Sequence, residues 1–486
     1  MKPILKYLLL IFIISFVLYF PSIFGFYTND DFFLLKISQT NSLGGFINFF
    51  NLTVGPDGLG MYRPITTQVF YFLGRSLFNL NPIGLHVISF LVFFGVIYLV
   101  FRLALELLKN ERISLVAALL YATSATHFGH LYYLATFQEL GLTTFFLLSV
   151  IYFVKFLDRA KLKYYLVSFV FFLASLLSKE TAVVLPAVLV VIYALRKVTK
   201  DTKVSISRFF VFLLPHLLIL AGYLYLRVRF YGLAVGDSYV WDFSLRAFNT
   251  LFWYGLWSLN IPEMLVDFVG PGFVFNPNLF KFYSKEIIPI FVLFATLVAG
   301  IGYLLVKNQK KLINQRAIIL ILFSVCWFVI TLIPVLFLPL HKFTFYLTLP
   351  LIGIVFVISY LINLNDKRPI TIVFLAIWVA VSVLTLTLTY KTNWITKGAE
   401  TARRVHDYLL GNAKTLADYK TIVFYDVEED DNLPWSPAEV LKVTLSDQNY
   451  FKVFWNDKFT VSYYTSGNDI KENGAIRIRS RKFLGY

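Results

Sequence analysis

Ile4 to Phe24 is a predominantly apolar run that opens directly into Phe26-Tyr27-Thr28-Asn29-Asp30-Asp31-Phe32-Phe33. A run of that length satisfies the roughly 20 residues a helix needs to cross a bilayer. Two adjacent carboxylates then stand at the water–lipid boundary, between aromatic residues. Ionisable groups at that depth are costly and are seldom idle. Like charges side by side also resist joint ionisation, which tunes one of them towards base behaviour. The same residues also read as a plain helix end, with Asn29 or Asp30 capping a helix that starts at Asp31.

Beyond the first run the chain stays apolar. Its 486 residues are 58% hydrophobic and only 15% charged, with mean hydropathy +0.70, whereas a soluble domain carries about 25% charge. The composition reads as an all-α polytopic membrane protein. Aromatics at 19%, with 52 Phe and 30 Tyr, suffice for interfacial belts at many span ends. Apolar runs at 4–24, 83–106, 113–130, 134–154, 164–178, 181–195, 209–230, 286–306, 317–337, 345–364 and 370–390 predict about eleven transmembrane helices. Met1-Lys2-Pro3 opens the chain like a signal peptide, but no small-residue cleavage site follows Phe20, so the first run reads as a retained helix. The lone cysteine, Cys326, lies in an apolar run and permits no disulfide within the chain.

The net charge of +16 is not a nucleic-acid signal, because most Lys and Arg lie in short connections between apolar runs. Lys2 and Lys6, Arg102–Arg112, Lys155–Lys163, Arg196–Arg208, Lys307–Arg316 and Lys367-Arg368 all fall on one side if the span count is about eleven. That is the positive-inside pattern, and the side is cytoplasmic. The outer side then holds a first loop, about 25–82, whose Ile65–Leu77 segment predicts a helix on the membrane surface. It also holds the turn Leu177-Ser178-Lys179-Glu180-Thr181, a Trp-, Pro- and Gly-rich loop at 232–285, and the tail. Residues 1–390 form the membrane domain and 391–486 a small extracytoplasmic α/β domain. Alternating segments Thr421–Tyr425, Tyr450–Trp455, Phe459–Tyr464 and Ala475–Arg479 predict strands there, after an amphipathic helix at Glu400–Leu410. Asn51-Leu52-Thr53 fits a glycosylation acceptor pattern, a short motif that arises often by chance.

Charged clusters recur at the outer ends of the spans: Asp30-Asp31, Tyr62-Arg63-Pro64, Lys179-Glu180 and His341-Lys342. Any one of them is explained as well by a surface ion pair or a snorkelling side chain. Together, mixing acid and base at one depth, they read as a single site. A carboxylate there can take a proton from a hydroxyl acceptor, and Arg and Lys can hold a phosphate, Arg in bidentate fashion and Lys as a point charge. His127 and His130 are three apart, but no third ligand follows at metal spacing, and hydrogen-bonded structure explains them better. Gln138-Glu139 reads as reaching the same outer cavity or as a helix N-terminal acid.

These motifs, in this order, resemble the GT-C superfamily of integral-membrane glycosyltransferases, in particular its protein O-mannosyltransferase-like and lipid A aminoarabinose transferase-like branch. The residues that carry the resemblance are Asn29-Asp30-Asp31-Phe32, Tyr62-Arg63-Pro64-Ile65-Thr66, and Leu177-Ser178-Lys179-Glu180 with Pro186. Leu338-Pro339-Leu340-His341-Lys342, leading into Tyr346-Leu347-Thr348-Leu349-Pro350, completes them. The resemblance covers residues 1 to about 390. It implies a GT-C-like fold in a prokaryotic plasma membrane, a polyprenyl-phosphate sugar donor and an inverting transfer on the outer face. The acceptor is a protein, a lipid or a glycan. Asp30 corresponds to the general base and Asp31 to the neighbouring acid; Lys179 and Lys342 correspond to donor-binding residues, with Arg63 in support and Glu180 and His341 beside them. The pair is Asp-Asp where Asp-Glu is commoner, and His-Lys stands where relatives often carry Arg. A divalent metal is left open.

A transporter or flippase of lipid-linked sugars is the rival from another class, and it predicts internal repeats and broken helices at mid-membrane. A scaffold displaying the tail leaves Asp30 and Lys179 without a role. A polysaccharide polymerase or ligase predicts its main polar site in a late loop.

Overall fold

The computed structural model describes residues 3–52, 60–232, 236, 238–365, 368–466 and 474–485; Thr53 of the glycosylation pattern lies outside them. Among the described residues, eight helices are long and apolar enough to cross a membrane: Ile4–Phe24, Pro82–Leu108, Leu134–Arg159, Glu180–Val198, Ile206–Tyr231, Asn278–Lys307, Gln315–Leu336 and Arg368–Thr392. Two shorter apolar helices, Leu162–Leu176 and Leu351–Asn363, pack against Phe137–Arg159 and Gln315–Leu336 respectively. Local sequence starts several of these helices. The Asn81 side chain accepts the Ile83 N–H at 3.1 Å with Pro82 at the first helical position, the arrangement expected of an N-cap.

The expected span at 113–130 is not one helix. A helix at Glu111–Ala122 gives way to short turns and a single helical segment, Phe128–Tyr132, and every residue from Tyr121 to Phe137 is buried. Broken backbone at membrane depth is tolerated only inside protein, where its polar groups find partners. Here the Asn260 side chain accepts from Ala125 N–H at 2.8 Å and from the Ser124 hydroxyl at 2.9 Å. An apolar run facing protein and one facing lipid have the same composition, which is why the count reads high in the sequence.

Five of the six basic connections are tied to one another in two groups; Lys2 and Lys367 lie outside the described residues. Arg196 donates to Asp158 at 2.8 Å, to Asp201 at 3.1 Å and to the Glu106 carbonyl at 3.1 Å, tying three connections together. Lys307 donates to Asn365 at 2.8 Å and Lys311 to the Leu364 carbonyl at 3.0 Å, tying two more. Glu139 and Asp158 lie near opposite ends of the Phe137–Arg159 helix, about 29 Å apart at ~1.5 Å rise per residue. That is close to the ~30 Å hydrocarbon thickness of a bilayer.

The first loop does not lie freely on a membrane. Ile65–Val69 is a π-helical turn leading into a helix at Phe70–Phe78, and Thr66, Thr67, Gln68, Phe70 and Tyr71 are buried. Ile65 N–H donates to the Leu177 carbonyl at 3.2 Å and the Thr66 hydroxyl to the Ser178 carbonyl. Gly141 permits the approach, since a Cβ there would stand 2.3 Å from Thr66 Cγ2.

In the tail, β1 (Thr421–Tyr425), β2 (Thr460–Tyr464) and β3 (Ile476–Arg479) form a parallel sheet in the order β2-β1-β3, with Ile422 paired to Val461 and to Ile476. Parallel strands need a crossover, and helices at Pro437–Thr444 and Asn449–Phe454 supply it. The expected strand at Tyr450–Trp455 is thus a helix; a short apolar run fits either period. The amphipathic helix runs longer than its sequence pattern, from Trp394 to Gly411, and buries Ile395, Ala399, Ala402, Val405 and Leu409 at helical spacing.

Candidate active site

Asp30 and Asp31 open the helix Asp30–Ile37, where both acids suit the N-terminal end of the dipole. Asn29 occupies the capping position but caps nothing with its side chain; its Oδ1 accepts from the Thr28 hydroxyl at 2.6 Å. Adjacency in sequence then separates the two acids in space. Asp31 is 1% exposed. Its Oδ1 accepts from the Tyr71 hydroxyl at 2.6 Å and its Oδ2 from Thr28 N–H at 3.0 Å. Burial pushes its carboxyl up to about 7, against the pull of those bonds. Asp30 instead keeps a solvent-open face. Its backbone N–H donates to Tyr133 Oη at 3.1 Å. The crowding around its carboxyl raises the pKa by desolvation, with Tyr133 and the Arg63 charge opposing.

The π turn at Ile65–Val69 and the Leu177–Glu180 turn bring Arg63 against Lys179-Glu180. Arg63 Nε donates to Glu180 Oε2 at 2.6 Å, Nη2 to Glu180 Oε1 and Nη1 to Gln138 Oε1. This is a bidentate pair. Lys179 is 2% exposed, paired with Glu139 and placed 4.6 Å from the centre of the Tyr346 ring. Burial lowers its pKa while Glu139 holds it up. Two cations and two carboxylates therefore balance to zero net charge.

His341 joins this cluster through Tyr346. Its Nε2 lies 2.9 Å from Tyr346 Oη and its Nδ1 3.0 Å from Ser238 Oγ, with the Tyr239 ring 4.0 Å away. Burial, then the charges of Lys179 and Arg63, pushes it down to about 4, so the imidazole is neutral at pH 7. Lys342 faces elsewhere, into an open recess of about 490 Å³ shared with Glu263, Asp267, Leu340, Asn393 and Trp394. Burial lowers its pKa and the Asp267 charge opposes that. The structure thus gathers Arg63, Lys179, Glu180 and His341 into one network, with Asp30 within its electrostatic reach, and sets Lys342 on the neighbouring recess.

His127 and His130 bond internally, to the Tyr121 carbonyl at 2.7 Å and to Thr348 Oγ1 at 3.1 Å. No group of three His, Cys, Asp or Glu side chains forms a ligand set among the described residues. Sequence reasoning missed Tyr71 and Tyr133, which hold the acids, and nothing marks them out among 30 tyrosines; Tyr346 stands in the late motif, but its place beside the lysine shows only in the fold.

Residues 63–225 match the family model of dolichyl-phosphate-mannose-protein mannosyltransferases, in agreement with the GT-C resemblance of the motifs. The match begins at Arg63 and takes in Gln138, Glu139, Lys179 and Glu180; Asp30 and Asp31 precede it, and His341 and Lys342 follow. No curated protein matches the sequence.

Proposed function

We propose that this chain is an integral-membrane glycosyltransferase that moves a sugar from a polyprenyl-phosphate donor to a hydroxyl acceptor, with Asp30 as general base. The family match supports the donor class. The observation that carries the base assignment is the contrast between the acids: both oxygens of Asp31 accept bonds from protein donors, whereas Asp30 keeps an open face beside a charged network. A carboxylate of raised pKa is a stronger base than an ordinary one.

In the proposed step the acceptor oxygen bonds to the anomeric carbon as the bond from that carbon to the phosphate oxygen breaks. The acceptor proton passes to Asp30, and polyprenyl phosphate leaves with the electron pair. A single displacement inverts the anomeric centre. Asp31, held by the Tyr71 hydroxyl and the Thr28 N–H, orients the start of the helix. Lys342, on its open recess, is the first candidate to meet the donor phosphate. Arg63 and Lys179 shape that side, their charges already balanced by Glu180 and Glu139.

The basic connections that Arg196 ties together, at the far end of the Phe137–Arg159 helix from Glu139, support a cytoplasmic end there and an outward-facing site and tail, in the plasma membrane of a prokaryotic cell. The test is label transfer from tritiated mannosyl polyprenyl phosphate to endogenous acceptors in membranes carrying the chain. Transfer that needs Asp30 supports the proposal; none above control membranes overturns the activity with that sugar.

A further inference from the structure

The tail domain grips the segment that carries Asp30. Asn29 N–H donates to the carbonyl of Thr444, the last residue of the Pro437–Thr444 helix, at 2.8 Å. Phe26 packs 5.0 Å from His406 and 6.0 Å from Phe454, and Phe32 packs 5.3 Å from Tyr450. On the other flank Trp394, which opens the Trp394–Gly411 helix, meets the Tyr133 ring edge-on at 5.2 Å. Tyr133 is the residue whose hydroxyl receives the Asp30 N–H.

Between these grips lies a strained residue. Asn29 has φ 50° and ψ −119°, a conformation found at the first central position of a type II′ turn and dominated there by Gly, Asn and Asp. Such residues persist where their surroundings over-determine them, and they cluster at functional sites. The contact is also tight. A Cβ on Gly398, in the tail helix, would stand 2.5 Å from Thr28 Oγ1 and 3.3 Å from Asn29 Oδ1. Glycine in mid-helix costs roughly 0.5–1 kcal/mol relative to alanine, so local helix stability does not call for it here.

We propose that the C-terminal domain is a positioning element for Asp30: its docking on residues 26–32 holds Asn29 in this conformation and so sets where the Asp30 carboxylate stands. Asn29 and Gly398 are positioning residues and touch no substrate. The inference rests on the reading of Asp30 as base.

The experiment compares Gly398→Ala with Gly411→Ala in the full chain. Both replace a glycine of one helix, but a Cβ at Gly411 meets nothing within 4 Å. Transfer from tritiated mannosyl polyprenyl phosphate is followed with the thermal inactivation temperature. Gly398→Ala should lower kcat by about tenfold or more, since small misplacements of a catalytic group are that costly. Its donor KM and inactivation temperature should match those of Gly411→Ala. Asn29→Ala should behave like Gly398→Ala, while Asn29→Gly, which adopts the same φ freely, should keep most of the parent rate. This pair decides the matter if Gly398→Ala fails to fold. Equal kcat in Gly398→Ala and Gly411→Ala, or in Asn29→Ala and Asn29→Gly, would overturn the inference. Asp30→Asn in the same membranes separates the two readings. A fully active Asp30→Asn removes the base, whereas an inactive one beside a normal Gly398→Ala removes only the positioning role.

Discussion

Replacing Lys179 by Met leaves the Glu139 carboxylate, 4% exposed, without its cation in the protein interior. Breaking a buried pair from one side costs about 3–5 kcal/mol, because the remaining charge is uncompensated. Lys179 also stands over the Tyr346 ring, a contact worth about 2 kcal/mol when desolvated. The methionine recovers part of that through its own packing. Lys179→Met alone should therefore be destabilised by roughly 3–5 kcal/mol. The double variant Lys179→Met/Glu139→Gln should return to within about 1–2 kcal/mol of the parent, since replacing both partners of a buried pair is often close to neutral. The assay is a double-mutant cycle on the inactivation rate in detergent micelles, with donor KM measured for the double variant. A donor KM that rises about 10- to 150-fold in a stable double variant would mean that Lys179 makes a charge-assisted contact to the phosphate, worth about 1.5–3 kcal/mol. An unchanged KM would make Lys179 structural. Equal stability of the single and double variants would refute the buried pair itself.

Lys342→Met should raise donor KM by the same 10- to 150-fold with little loss of stability, since its side chain is only partly covered and stands on an open recess; donor titration of the variant checks it. Asp31 holds a proton up to about pH 7 in the folded state and only up to about pH 4 unfolded. The folded chain binds the extra proton between those values, so stability should fall as pH rises from 4 to 7, by at most on the order of 4 kcal/mol. Asp31→Asn should flatten that slope in unfolding measured against pH. In a Cys326→Ser background, Lys482→Cys should react with an impermeant maleimide on intact cells and Lys310→Cys should not; the reverse pattern would invert the topology.

What the sequence makes legible is what is local. The length and polarity of the runs identify a helical membrane protein, and an adjacent pair such as Asp30-Asp31 stands out by itself. The pairing of Arg63 with Glu180 and of Lys179 with Glu139 is not legible, because it depends on how distant turns pack. The motifs name the right turns without naming the partners. The run at 113–130 misleads because an apolar segment buried in protein has the composition of one buried in lipid. Tyr450–Trp455 misleads because six residues are too few to separate the two periods, and the need for a crossover between parallel strands settles it. The different fates of Asp30 and Asp31 come from Thr28 and Tyr71, and only the folded chain shows which carboxylate those donors reach.

The central claim is that Asp30 takes the acceptor's proton. Asp30→Asn keeps the size and polarity of the side chain and leaves the bond from its backbone N–H to Tyr133 in place, so the chain should fold and bind donor as before. Turnover of tritiated mannosyl polyprenyl phosphate should fall by about 10²–10⁴, the usual worth of a general base, with donor KM unchanged, and Asp31→Asn should cost less. Turnover within a few-fold of the parent in Asp30→Asn, or a deeper loss in Asp31→Asn, would contradict the assignment.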